Sequence, residues 1–208
     1  MYVILSLLAI FSILVFNELL WRKKAVHGEF SRKFVHVSVG CFVAFWPFYL
    51  SWTAIRILGL AFVVVVVLSK VLKIFQAINS VQRPTWGEIC FALAVIIVSF
   101  ITHNKWIYAT AILQMSLADG LAAIVGVRYG GKYSYLVFNH TKSIIGTLTF
   151  FIVSCFVLLG YNHFGMGDLG IRFILLTSFT TCLLENIAVL GLDNLFVPVF
   201  IAYLISNH

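Results

Sequence analysis

Residues 2–21 read YVILSLLAIFSILVFNELLW, with Glu18 the single charged side chain in the run. About 20 apolar residues are what a helix needs to cross a hydrocarbon core of about 30 Å. The basic residues Arg22, Lys23 and Lys24 follow the stretch instead of preceding it. A secretory leader begins with its positive charge and ends in an Ala-x-Ala-like cleavage signal, so this segment reads as a retained transmembrane helix. Working outward from it, comparable apolar stretches occupy residues 34–50, 52–68, 89–101, 106–127, 144–161, 171–190 and a shorter 195–206. The pattern predicts an all-α polytopic integral membrane bundle of seven or eight transmembrane helices with short loops. Residues 1–208 are expected to form one transmembrane domain.

Composition supports the same class. Of the 208 residues 62% are hydrophobic and only 10% charged, and mean hydropathy is +1.06, whereas a soluble domain carries roughly 25% charge. A chain this short cannot hide so much apolar surface from water. A soluble enzyme, a secreted disulfide scaffold and a sizeable extramembrane domain are thereby excluded. Cys41, Cys90, Cys155 and Cys182 stand singly in apolar segments, without the spacing of a disulfide framework or a zinc site.

The net charge of +7 reports topology and anionic lipid headgroups in such a chain, not a nucleic-acid partner. Arg22, Lys23, Lys24, Arg32 and Lys33 lie between the first and second segments. Lys70, Lys73 and Arg83 lie between the third and fourth, and Arg128, Lys132 and Lys142 between the fifth and sixth. The other connections hold only Arg56, Lys105 and Arg172. The positive-inside rule then puts the N-terminus outside and the basic connections in the cytoplasm. Residues 69–87 are expected to begin as an interfacial amphipathic turn, which Pro84 limits.

Ionisable residues at membrane depth are costly and mark a pathway, a partner or a reaction. Glu18, Glu88, Asp119, Glu185 and Asp193 all fall toward the cytoplasmic ends of their segments. Asp119 shares a helical stripe with Ala122, Ala123, Gly126 and Gly130. That pattern suits either a ligand or metal carboxylate, or a packing seam between helices. The connection after it offers Arg128, Lys132, His140, Thr141, Lys142 and Ser143, which suits a phosphate chain but also an ordinary positive-inside loop. Neither a P-loop nor a dinucleotide fingerprint is present. Arg32, His36 and Gly40 are spaced i, i+4, i+8, with Lys33 alongside, as a phosphate clamp or as anchors and a helix-packing donor. Glu185 and Asp193 would face one cavity only if their helix ran on through Gly191; alternatively, Asp193 and Asn194 cap the last helix. His27, His103, His140, His163 and His208 form no metal pattern.

Four stretches in order resemble the phytol, farnesol, dolichol and polyprenol kinase family, which includes a CTP-dependent diacylglycerol kinase. They are Glu29, Arg32, Lys33, His36 and Gly40; Thr85, Trp86, Gly87 and Glu88; Asp119, Ala122 or Ala123, Gly126 and Gly130, followed by Lys142 and Ser143; and Glu185, Asp193, Asn194 and Pro198. One position departs from the family pattern, where Ile145 stands in place of a Glu. The resemblance implies transfer of the γ-phosphate of CTP, or a similar nucleoside triphosphate, to a lipid alcohol with Mg²⁺ as cofactor. It implies catalytic roles for Asp119, Lys142, His36 and Glu88. Nucleotide binding would fall to Arg32, Lys33, Arg128, Lys132, Ser143, Gly126, Gly130 and Asn194, and metal ligation to Asp119, Asp193 and Glu185. The expected setting is a bacterial inner membrane with the site facing the cytoplasm. The competing classes are a CTP-dependent lipid cytidylyltransferase and a non-catalytic relative or transporter.

Overall fold

The computed structural model describes residues 1–23, 28–72, 86–138 and 140–208. Lys24, His27, Lys73, Arg83, Pro84 and Thr85, and with them most of the interfacial turn expected over residues 69–87, lie outside the described residues, as do the side chains of Glu29 and Lys70. Each of the eight apolar segments is helical. We label the helices α1 (Tyr2–Arg22), α2 (Gly28–Ala44), α3 (Trp52–Leu72), α4 (Gly87–Ile101), α5 (Lys105–Leu113), α6 (Asp119–Tyr129), α7 (Ile144–Phe164), α8 (Ile171–Ile187) and α9 (Asp193–Ser206). Among the described residues, four stretches are long and apolar enough to cross a membrane: Tyr2–Arg22, Trp52–Ser69, Lys105–Tyr129 and Ile144–Phe164. Gly87–Ile101 and Asp193–Ser206 are shorter apolar helices. Leu5, Leu8 and Phe11 of α1 and Leu60, Val64 and Val67 of α3 are exposed, as expected of surfaces that face hydrocarbon.

The continuous rod α5–α6 runs through the middle of the bundle. Asn104 starts it by accepting hydrogen bonds from the backbone N–H groups of Trp106 (2.9 Å) and Ile107 (3.3 Å), which satisfies two of the donors every helix start leaves open. Tyr108, Ile112 and Met115 then bury against Val39 and Val43 of α2, Val95 and Val98 of α4, Leu158 of α7 and Ile201 of α9. Between α5 and α6, residues Gln114–Ala118 widen into a single π-helical turn. Such a turn disturbs the carbonyl ladder of the helix and recurs at functional sites. Here the Met115 carbonyl is met by His36 Nε2 of α2 at 3.0 Å, and Gln114 Nε2 donates to Ser154 O (3.2 Å) and Oγ (3.0 Å) of α7.

Gly40 permits α2 to approach this turn. A Cβ placed there would run into Cβ and Oγ of Ser116. We expect Gly40→Ala to cost about 1–3 kcal/mol through overpacking, seen as a lower midpoint of thermal unfolding in detergent. Adding Ser116→Gly to that variant should return most of the loss. A double variant no more stable than Gly40→Ala would show that this contact does not set the fit.

The connection from α6 to α7 departs from the all-helical expectation. Ser134–Val137 (β1) and His140–Ser143 (β2) form an antiparallel hairpin that pairs Ser134 with Ser143, Tyr135 with Lys142, Leu136 with Thr141 and Val137 with His140. Tyr, Val and Thr favour a pleated strand. Ser143 ends the hairpin and caps α7, its Oγ accepting from Gly146 N–H at 3.0 Å.

A second departure lies between α8 and α9. Helix α8 stops at Ile187, and the chain turns through left-handed residues Leu190 (φ 61°) and Gly191 (φ 89°). Glycine carries no Cβ penalty in that region. Trp86 N–H donates to the Leu190 carbonyl (2.9 Å), and Asn194 Nδ2 donates to the Gly87 carbonyl (3.0 Å). The start of α4 is thereby tied to the start of α9.

Candidate active site

Three arms of the fold converge on one cavity of about 580 Å³. The first comes from α2, where Lys33 is buried and donates to Asp119 Oδ2 of α6 at 2.5 Å. Asp119 is only 5% exposed, and its carboxylate also lies 3.5 Å from His36 Nε2. The imidazole therefore sits between the Met115 carbonyl and the Asp119 carboxylate. The π turn places Asp119 as the first residue of α6, aimed back at α2.

The hairpin supplies the second arm. Tyr135 and Lys142 are cross-strand partners and share one face of the ribbon. Tyr135 Oη bonds to Thr147 Oγ1 (2.5 Å) and donates to Asn186 Oδ1. Lys142 Nζ donates to the neighbouring Glu185, to both its carboxylate and its backbone carbonyl, the latter at 3.0 Å. The pair thus grips two consecutive residues near the end of α8. Burial works to push the Lys142 pKa down, but Glu185 beside it, helped by Asp193 and Asp119, holds it above the ordinary lysine value. Lys142 is therefore a cation at neutral pH.

The left-handed turn supplies the third arm. It brings Asp193 round so that carboxylate oxygens of Asp119, Glu185 and Asp193 all lie within 4.8 Å of one another. The condition set from the sequence was wrong in its reason. Glu185 and Asp193 do meet, although the helix ends before Gly191, because the turn reverses the chain between them. Leu192, not Asp193 or Asn194, occupies the N-cap of α9, and no side chain caps that helix. Three carboxylates supply the hard oxygen donors that divalent cations prefer, and the cluster can hold such an ion. Lys33 pairs with Asp119 and Lys142 with Glu185, so two of the three acids each carry a lysine partner.

The other expected site residues divide by position. Arg32, Lys33 and Asn194 line this cavity, as do Gly126, Gly130, His140, Thr141 and Ser143. Gly126 and Gly130 also make the close packing seam of α6, since a Cβ on either would press on Ser143. Arg128 and Lys132 are exposed outside the cavity lining, with the Arg128 guanidinium 5.5 Å from the centre of the Tyr129 ring. Glu88 and His36 line a separate, smaller crevice. Ile145 lines neither space. Tyr135 was not anticipated; its signal was a Tyr in an alternating run opposite Lys142, visible only once a hairpin is assumed.

A carboxylate trio, two paired lysines and the hairpin thus meet in one cavity of a bundle of apolar helices. A phytol kinase of Synechocystis sp. is 34% identical over 190 residues, covering 87% of this chain and 80% of that protein. A probable chloroplastic phytol kinase 2 of Glycine max is 30% identical over 166 residues, which is 74% of this chain and 54% of its own length. A probable chloroplastic phytol kinase of Triticum aestivum is 26% identical over 223 residues, 92% of this chain and 72% of its own. The chain belongs to the phytol/polyprenol kinase family. No family model and no solved structure matches it.

Proposed function

We propose that this protein is a lipid alcohol kinase. It transfers the γ-phosphate of CTP, or a similar nucleoside triphosphate, to the hydroxyl of an isoprenoid alcohol such as phytol, farnesol or a polyprenol, or to diacylglycerol. The observation that carries this reading is the meeting of Asp119, Glu185 and Asp193 with Lys33 and Lys142 in one cavity. Phosphoryl transfer asks a protein mainly for positioning and charge neutralisation, and that set offers both. The donor set suits Mg²⁺, which would supply charge neutralisation on the polyphosphate. Asp119, Glu185 and Asp193 would hold it.

The chain's own groups do the rest. Lys142, Arg32 and the hydroxyls of Thr141 and Ser143 receive phosphate oxygens, and Lys33 fixes the Asp119 carboxylate. The acceptor oxygen forms a bond to the γ-phosphorus, and the bond from that phosphorus to the β–γ bridging oxygen breaks. The hydroxyl proton passes to a carboxylate of the trio, and the nucleoside diphosphate leaves. The basic connections and the acidic trio fall on one side under the positive-inside rule. That supports a seven- or eight-span domain with its N-terminus outside and its site facing the cytoplasm, as in a bacterial inner membrane.

The test is purified protein in lipid with Mg²⁺, γ-labelled CTP and a panel of phytol, farnesol, undecaprenol and diacylglycerol. We expect label in at least one lipid, with CDP as the other product. Label in none of them removes the kinase reading for that panel. Release of pyrophosphate with cytidine on the lipid would make the protein a cytidylyltransferase.

A further inference from the structure

The smaller crevice, about 90 Å³, has a different character from the polar cavity. Its walls include Val39 of α2, Phe62, Val65 and Val66 of α3, and Phe91 of α4. Val65 is half exposed on the outer surface of a helix long and apolar enough to span the membrane, so the crevice opens sideways to lipid. Its lining also includes Arg32, Lys33 and Asn194, which line the polar cavity as well. The two spaces share those three residues.

Asn194 decides what fits there. It is 5% exposed, and its Nδ2 donates to the Gly87 carbonyl at 3.0 Å. Its Oδ1, turned the other way, is buried without a hydrogen-bond partner among the described residues. A buried acceptor left unmet is unfavourable. The molecule that completes this place donates one hydrogen bond from its end and carries an apolar body behind it.

We propose that the crevice binds the acceptor alcohol. The head end of a prenyl or fatty chain lies between α2, α3 and α4, the remainder stays among the bilayer tails, and the hydroxyl donates to Asn194 Oδ1 at the junction with the polar cavity. The term acceptor rests on the kinase reading; the binding of an alcohol does not. Apolar walls exclude a water-soluble alcohol, and an ether or alkane of the same length has no proton to give Asn194.

A farnesol analogue with a diazirine on its chain tests this in the intact protein in nanodiscs, by photolabelling and peptide mapping. Labelling is expected on the facing walls of α2, α3 and α4 and should be competed by farnesol. Val66→Trp, which fills the crevice, should lower it about tenfold or more by steric clash. Val64→Trp, on the outward face of α3, should leave it unchanged. The alcohol should compete about tenfold better than its methyl ether in the wild type, and equally with it in Asn194→Leu, as one hydrogen bond warrants. Labelling spread over the outer helix faces, or indifferent to Val66→Trp, overturns the proposal. Crevice labelling without phosphate transfer from CTP would retain this site and remove the kinase reading; transfer without crevice labelling would do the reverse.

Discussion

Replacing Asp119 by Asn is expected to lower lipid-alcohol phosphorylation about 10³-fold while the protein still inserts into membranes, the scale of losing a preorganised charge at a phosphoryl-transfer site. The amide keeps the shape of the side chain but removes one of three carboxylates that lie within 4.8 Å of one another. It also takes the counter-charge from Lys33, whose ammonium sits 2.5 Å from Asp119 Oδ2 with both side chains 8% exposed. Leaving one member of a buried pair alone costs about 3–5 kcal/mol, so stability will fall together with rate. The two effects separate in Lys33→Met/Asp119→Asn, which should recover thermal stability and not activity. Labelled-CTP turnover and a detergent melting curve on the wild type and these two variants provide the measurement. A folded Asp119→Asn protein with near-normal turnover would remove Asp119 from the reacting set.

Lys142→Met should reduce kcat/KM for the nucleotide about 10²-fold, with most of the change in KM, as loss of a charge-assisted phosphate contact predicts. Here the side chain holds both the carboxylate and the backbone carbonyl of Glu185, so removing it also frees an acid of the trio. Tyr135→Phe offers the comparison. It keeps every charge but cuts the hydrogen bonds to Thr147 and Asn186 that tether the hairpin. We expect a smaller loss there, about tenfold, since one or two neutral hydrogen bonds are removed. Steady-state kinetics over a nucleotide series decide it. A Lys142→Met enzyme with unaltered KM would assign that lysine to holding the fold.

The helices were legible because burial in lipid demands long apolar runs, and all eight runs read from composition are helical. The details that make the site were not. Nothing in Gln114–Ala118 announces one widened turn, because a π turn is set by its neighbours, here His36 and the approach allowed by Gly40. The hairpin was hidden because its residues look like any basic connection until Tyr135 is paired with Lys142. Asp119, Glu185 and Asp193 were picked out by the cost of charge at membrane depth, and Lys33 and Lys142 by their place in basic connections. Their partners were not, since Lys33 and Asp119 are 86 residues apart, and sequence spacing says nothing at that range. The resemblance to lipid alcohol kinases carried family membership, and the relatives bear that out.

The Lys33–Asp119 pair also bears on how the protein is made. A buried Lys or Asp without its partner is unfavourable, and these two leave the ribosome 86 residues apart. The buried partner of Lys33 on α2 is therefore available only once α6 has been synthesised. The cavity also needs Glu185 and Asp193, which follow α6 in the chain, so a chain cut short of them lacks the carboxylate trio altogether.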